Sequence, residues 1–282
     1  MAGPATTWML GEGLELDLEA GALMGVLNVT PDSFSDGGLY TDPGIAVSHA
    51  LDLVAGGAAI VDVGGESTRP GSTGVSEDDE LSRVMPVVEG LIAKQVSVSI
   101  DTSKPGVAAA ALQAGALVIN DVNGFRDPAM TRVAAEHGCG VVVMHMQGTP
   151  RIMQDDPSYE DVVLEVESFL LARAAALEDA GVAPQRIAID PGIGFGKALN
   201  DNLSILKHLE RLASHSYPVV LGTSRKSFLG HLTSIHDPES RDGATAVTTA
   251  LGFVRGARIF RVHDVVSSRH ALQIASAIVA SD

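Results

Sequence analysis

Asp101, Asn120 and Asp190 each end a short, mostly apolar run. Polar side chains in such equivalent positions converge on one pocket. Two carboxylates and an amide suit a flat heterocycle that offers N–H donors and carbonyl acceptors, such as a pterin or a purine. One such residue alone could cap a helix or tie a loop; three in equivalent positions favour a site. Arg225-Lys226 and Arg261-x-His263 also follow apolar runs, and a basic cluster in an acidic chain predicts a bound substrate anion.

Equivalent positions require equivalent elements. Residues 22–29, 58–64, 96–100, 117–122, 141–145, 186–190, 218–222 and 258–262 read as strands, rich in Val and Ile and apolar on both faces. Helical periodicity falls at 45–55, 77–94, 107–114, 159–180, 203–213, 244–255 and 267–280, and Asp127-Pro128 opens another helix as N-cap and first-turn residue. Strand–helix alternation repeated eight times predicts an α/β fold, a (β/α)8 TIM barrel, with the chemistry at the carboxyl ends of its strands. The basic cluster then follows the seventh and eighth strands, where such barrels often bind phosphate. Residues 8–10 and 14–18, joined by Gly11-Glu12-Gly13, read as an N-terminal β-hairpin closing the barrel base.

Composition bounds the function. The 282 residues, 45% hydrophobic and 19% charged, suit a single domain over 1–282 with a large core. A net charge of −16 argues against nucleic acid or an anionic membrane as partner. Cys139 is the only cysteine, which excludes an intrachain disulfide and a thiolate zinc site; it reads as a buried small apolar residue. No leader pattern and no apolar run of ~20 residues is present, so a cytoplasmic location is expected.

Generic motifs fail. Gly192-Ile193-Gly194-Phe195-Gly196-Lys197 has Lys where the dinucleotide fingerprint needs Gly, and Pro191 and Ala198 break a P-loop. Neither a G-x-S-x-G elbow nor an HExxH zinc helix occurs. His145, between two methionines, reads as a strand-end histidine packed beneath a site. The acidic run Glu77-Asp78-Asp79-Glu80 reads as a complement to a helix dipole.

Longer motifs are specific. Met24-Gly25-Val26-Leu27-Asn28-Val29-Thr30-Pro31-Asp32-Ser33-Phe34-Ser35-Asp36-Gly37-Gly38 and Ile60-Val61-Asp62-Val63-Gly64-Gly65-Glu66-Ser67-Thr68-Arg69-Pro70-Gly71 resemble the two signatures of the dihydropteroate synthase family. The likeness continues, in order, through Asp101-Thr102, Asn120-Asp121, Met144-His145-Met146-Gln147-Gly148, Asp190 to Lys197, Thr223-Ser224-Arg225-Lys226-Ser227 and Arg261-Val262-His263-Asp264. The resemblance implies condensation of 6-hydroxymethyl-7,8-dihydropterin pyrophosphate with para-aminobenzoate, giving 7,8-dihydropteroate and pyrophosphate. By matching motif, Asp101, Asn120, Asp190, Lys226, Arg261, Met144 and Phe195 would hold the pterin. Asn28, Arg69, Arg261 and His263 would engage pyrophosphate, with Asn28 a ligand of Mg2+. Thr68, Arg69, Pro70, Phe34, Phe195, Lys226 and Ser227 would shape the aminobenzoate pocket, a target of sulfonamides. Asp101, Asp190, Lys226, Arg69, His263 and Asp32 form the implied catalytic set, and the loops 30–34 and 67–70 would close over it. Homodimers are the family expectation, with residues 244–251 a candidate contact surface.

With no strong nucleophile in place and a weak arylamine attacker, an SN1-like course follows, its cation stabilised by Asp101 and Asp190. A silent pterin-binding paralogue would carry damage in the loop or anion residues, which are intact. A corrinoid-partnered methyltransferase would need no pyrophosphate site, against residues 30–38 and the Arg261/His263 pair. Phe260 and Phe125 are bulkier than the family pattern, and Phe260 is expected to face away from Arg261.

Overall fold

The computed structural model describes residues 3–30, 42–67, 71–72, 74–149 and 151–281. The chain opens with an antiparallel hairpin, β1 (Thr7–Gly11) and β2 (Leu14–Asp17). Eight parallel strands follow: β3 (Ala22–Asn28), β4 (Ile60–Gly64), β5 (Val98–Asp101), β6 (Val118–Asp121), β7 (Gly140–Met144), β8 (Ile187–Asp190), β9 (Val220–Leu221) and β10 (Ile259–Val262). They pair in the order β8-β7-β6-β5-β4-β3-β10-β9, and a parallel bridge from Ile189 to Val219 joins the two edges into a barrel.

The helical coat comprises α1 (Pro43–Gly56), α2 (Glu77–Ile92), α3 (Pro105–Ala114), α4 (Pro128–His137), α5 (Val162–Asp179), α6 (Leu199–Lys207), α7 (Glu210–Ala213), α8 (Ser227–Thr233), α9 (Asp242–Val254) and α10 (Val265–Val279). Side-chain caps fix several starts: Asp127 accepts from Ala129 N at 2.8 Å, and Asp264 from Ser267 N at 3.1 Å. The second cap sets where β10 hands over to α10, just past His263.

Three elements depart from the sequence reading. The stretch 203–213 is covered by two helices, and α8 was not foreseen, being only seven residues long with no side-chain cap bond. The strand expected at 218–222 shrinks to Val220–Leu221; Pro218 contributes only its carbonyl, to Ile189 N.

Side-chain alternation gives the barrel two surfaces. Val61, Val63, Val98, Ile100, Ile119, Val141, Val143, Ile187, Ile189, Phe260 and Val262 pack outward against the helices. Met24, Ile60, Val118, Val142, Ala188, Val220 and Ile259 point inward and meet Trp8, Leu10 and Leu18 of the amino-terminal segment, an apolar floor at the amino ends of the strands. Trp8 is fully buried and donates its indole N–H to the Arg186 carbonyl at 2.9 Å. Among the described residues no helix is long and apolar enough to cross a membrane. Trp8→Ala removes a floor side chain and a hydrogen bond, and should cost about 3–5 kcal/mol in denaturant unfolding; a loss below about 1 kcal/mol would show that the hairpin is not part of the core.

Candidate active site

Above that floor the inward positions turn polar. Register aligns Asn28 with Gly64, Gly64 with Asp101, and Asp101 with Asn120, while Met144 pairs with Asp190. Each of these residues keeps the inward phase of its strand, as do Asp62 and Ser99 on β4 and β5 and Arg261 on β10. One end of the barrel interior therefore carries charge where the other carries hydrocarbon.

Arg261 organises this layer. Its Nε lies 2.6 Å from Asp62 Oδ2 and its Nη2 2.6 Å from Asp101 Oδ2, while Asn120 Nδ2 donates to Asp62 Oδ2 at 3.0 Å. Burial lifts the Asp101 carboxyl to about 7 against the pull of Arg261. Burial opposes the Arg261 charge, but Asp62 and Asp101 raise its pKa overall. Among the described residues nothing hydrogen-bonds Asp101 Oδ1 or Asp190 Oδ2, and the buried Asp62 Oδ1 and Ser99 Oγ also lack partners. The layer keeps acceptors in reserve.

Lys226 and the loop after β8 form the adjoining wall. Asp190 Oδ1 accepts from Gly192 N at 2.7 Å, and burial raises this carboxyl's pKa. Lys226 Nζ donates to the Ile193 carbonyl, stands 4.6 Å from the Phe195 ring centroid, and is lowered by burial to about 8. A Cβ placed on Gly222 would lie 3.7 Å from Lys226 Nζ and 3.9 Å from Asp190 Oδ2, so the bare backbone there leaves space between them. Phe195 packs with Val122, Met144, Met146 and Met153 as the apolar part of the wall.

The expected anion cluster divides. Arg225 is turned away and held by Asp242 through two 2.8 Å contacts, so it is not an anion ligand of this pocket. Strand-end neighbours face different ways, and Arg225 also has a positive φ of 59°. His263 remains on the site side, its Nδ1 2.9 Å from Ser224 Oγ. Asn28 ends β3, half-buried, and its amide oxygen is a hard ligand; no group of three or more His, Cys, Asp or Glu able to hold a metal occurs among the described residues. A single amide oxygen is one hard donor of the kind Mg2+ accepts beside waters and substrate phosphates.

Ser227 is the exposed first residue of α8, beside Lys226. Asp32, Phe34, Thr68, Arg69 and Pro70 lie outside the described residues. Cys139 is buried, and burial pushes its thiol up to about 12. Phe260 packs outward, opposite in phase to Arg261, and Phe125 is fully buried at a positive φ of 54°. The acidic run does start α2, but Glu80 is 1% exposed and pairs with Lys104 at 2.5 Å, so it does more than complement a dipole. The sequence reading assigned no role to Asp62, whose signal was a lone charge inside Ile60-Val61-Asp62-Val63, or to the buried Lys197. A separate groove of about 660 Å³, lined by Arg126, Arg132 and Arg173 between α4 and α5, belongs to the helical coat.

The pterin binding enzyme family profile matches residues 24–263. The dihydropteroate synthase of Escherichia coli (strain K12) is 42% identical over 97% of each chain. A solved Xanthomonas albilineans dihydropteroate synthase with 4-aminobenzoic acid superposes at a TM-score of 0.92, with 44% identity over 99% of this chain and 100% of that one. The same organism's enzyme in complex with 7,8-dihydropteroate gives a TM-score of 0.89 and 42% identity over 98% and 100%. With the barrel, the paired carboxylates and this likeness all in agreement, the chain belongs to the pterin-binding enzyme family and, within it, to the dihydropteroate synthases.

Proposed function

We propose that the chain joins 6-hydroxymethyl-7,8-dihydropterin pyrophosphate to para-aminobenzoate, releasing pyrophosphate and forming 7,8-dihydropteroate for folate biosynthesis in the cytoplasm. The observation that carries this reading is the convergence of Asp101, Asn120, Asp190, Lys226 and Arg261 at one end of the barrel interior. Asp101 Oδ1 and Asp190 Oδ2 accept from ring N–H groups. The Asn120 amide oxygen accepts and Lys226 Nζ donates at the ring edge. Arg261, planar and held by two carboxylates, stacks on the ring face, and Met144 and Phe195 line the apolar side.

The methylene C–O bond breaks with its electron pair leaving on pyrophosphate. The resulting cation is delocalised into the ring and stabilised by Asp101 and Asp190, whose dry surroundings strengthen the interaction. The aminobenzoate nitrogen then forms the new C–N bond and loses a proton. Arg69 and His263 would meet the charge growing on pyrophosphate, and Asp32 enters the catalytic set through the family likeness alone. Asn28 would hold Mg2+, which when bound neutralises part of that charge. By the family likeness, aminobenzoate recognition would fall to Phe34, Thr68, Arg69, Pro70, Phe195, Lys226 and Ser227.

The assembly is a homodimer in this reading. Val247, Leu251 and Val254 of α9 and Ile274 and Ile278 of α10 are each more than half exposed, on two helices packed side by side. The doubly substituted Leu251→Glu/Ile274→Glu protein should sediment as a monomer where the parent sediments as a dimer; a monomeric parent would remove the assembly from the proposal.

Purified protein supplied with both substrates and Mg2+ should release dihydropteroate and pyrophosphate in equal amounts. Asp101→Ala should lower turnover on the order of 10²–10³-fold, and near-normal turnover would overturn the assignment. Because the ionised carboxylate is the working form and burial places Asp101 near 7, kcat/KM should climb from about pH 6 to about pH 8. Asp101→Asn should flatten that limb; an unchanged slope would assign it to another group.

A further inference from the structure

The loop between β8 and α6 lies backbone to backbone on the segment that follows β7. A Cβ on Gly192 would stand 1.9 Å from the His145 carbonyl oxygen, and one on Gly196 2.5 Å from that of Gln147. Gly192, Gly194 and Gly196 all have positive φ, of 65°, 81° and 59°. This winding turns several carbonyls into a small, dry space, and one cation fills it. Lys197, 2% exposed, donates from Nζ to Gly192 O and Phe195 O at 3.0 Å each, lies 2.9 Å from His145 Nδ1, and reaches His145 O at 3.3 Å. No carboxylate lies within 4 Å of it among the described residues.

His145 is built as an acceptor. Burial and the nearby Lys197 charge hold its pKa down to about 3, so the ring is neutral; burial also lowers the Lys197 amine to about 7, and in its ammonium form Lys197 donates to Nδ1, which places the ring proton on Nε2. Phe169 fixes the ring edge-on with centroids 5.0 Å apart. Of the loop's other contacts, Gly192 N to Asp190, Ile193 O to Lys226 and the Phe195 ring beneath Lys226 run to the pocket, while Gln154 and Asn202 hold Gly194 and Tyr159 holds Gly196 from outside it.

We propose that Lys197, with His145 as its neutral acceptor, is a positioning residue that pins the 192–196 loop and so sets the geometry of Asp190, Lys226 and Phe195. It touches no substrate. The inference rests on the pterin role given to those three residues, and one readout below is independent of that role.

Lys197→Met keeps the length of the side chain and removes its donors. Amide hydrogen exchange at residues 192–196 should rise at least about tenfold, with the barrel floor unchanged, and 7,8-dihydropteroate binding should weaken on the order of 10–100-fold. Adding Phe195→Ala to Lys197→Met should weaken binding by less than the product of the two single effects, because both act through one ring. His145→Asn, which keeps an acceptor at the Nδ1 position, should retain parental binding, whereas His145→Leu should behave like Lys197→Met. The histidine pair decides the matter if Lys197→Met does not fold. Unchanged loop exchange, or Lys197→Met and Phe195→Ala effects that simply multiply, would overturn the inference. A parent protein that makes no dihydropteroate would instead defeat the proposed reaction, and the exchange measurement would still decide the pin.

Discussion

The guanidinium of Arg261 holds two carboxylates from strands it does not adjoin. Strand β3 separates β10 from β4, so the side chain must cross the barrel interior to reach Asp62 and Asp101. Two buried anions without that cation would repel each other in a medium that screens poorly, and the cation without them would lose its hydration uncompensated. Asn120 is oriented by the same Asp62 oxygen, so the position of the amide depends on the ion pair as well. A ligand with a flat ring and N–H donors enters a pocket whose charges are already arranged, and little reorganisation is left for the moment of binding.

The division of each strand into an apolar amino half and a polar carboxyl half separates stability from chemistry along a single axis. Ile60 joins the floor while Asp62, two residues on, joins the ion pair; Val118 and Asn120 repeat the arrangement on β6, and Ala188 and Asp190 on β8. A shift of one residue in any of these strands would send the charged group into the helical coat.

Much of this was legible in the sequence because strand ends announce themselves. Asp101, Asn120 and Asp190 stand where apolar runs stop, and barrel topology brings such positions together. Asp62 escaped because it sits inside a run, where a lone charge has no periodic signal and its meaning depends on Arg261, 199 residues away. Arg225 misled for the opposite reason. It stands in a strand-end cluster, but a positive φ and the facing Asp242 take its guanidinium to the outside. Lys197 resembled the end of a phosphate loop, and only the folded loop reveals that its partners are backbone carbonyls. Residue types mark where polar groups cluster; which atoms they address is set by backbone turns that composition does not encode.

Trp8 is the chain's single tryptophan, and it is sealed in the floor at the pole opposite the polar pocket. Its emission is therefore a report on one place. A change in its wavelength records water reaching the base of the barrel, while events among the charged side chains at the far end leave its immediate surroundings as they were. The molecule thus carries a built-in optical gauge of barrel integrity, spatially separated from occupancy of the pocket.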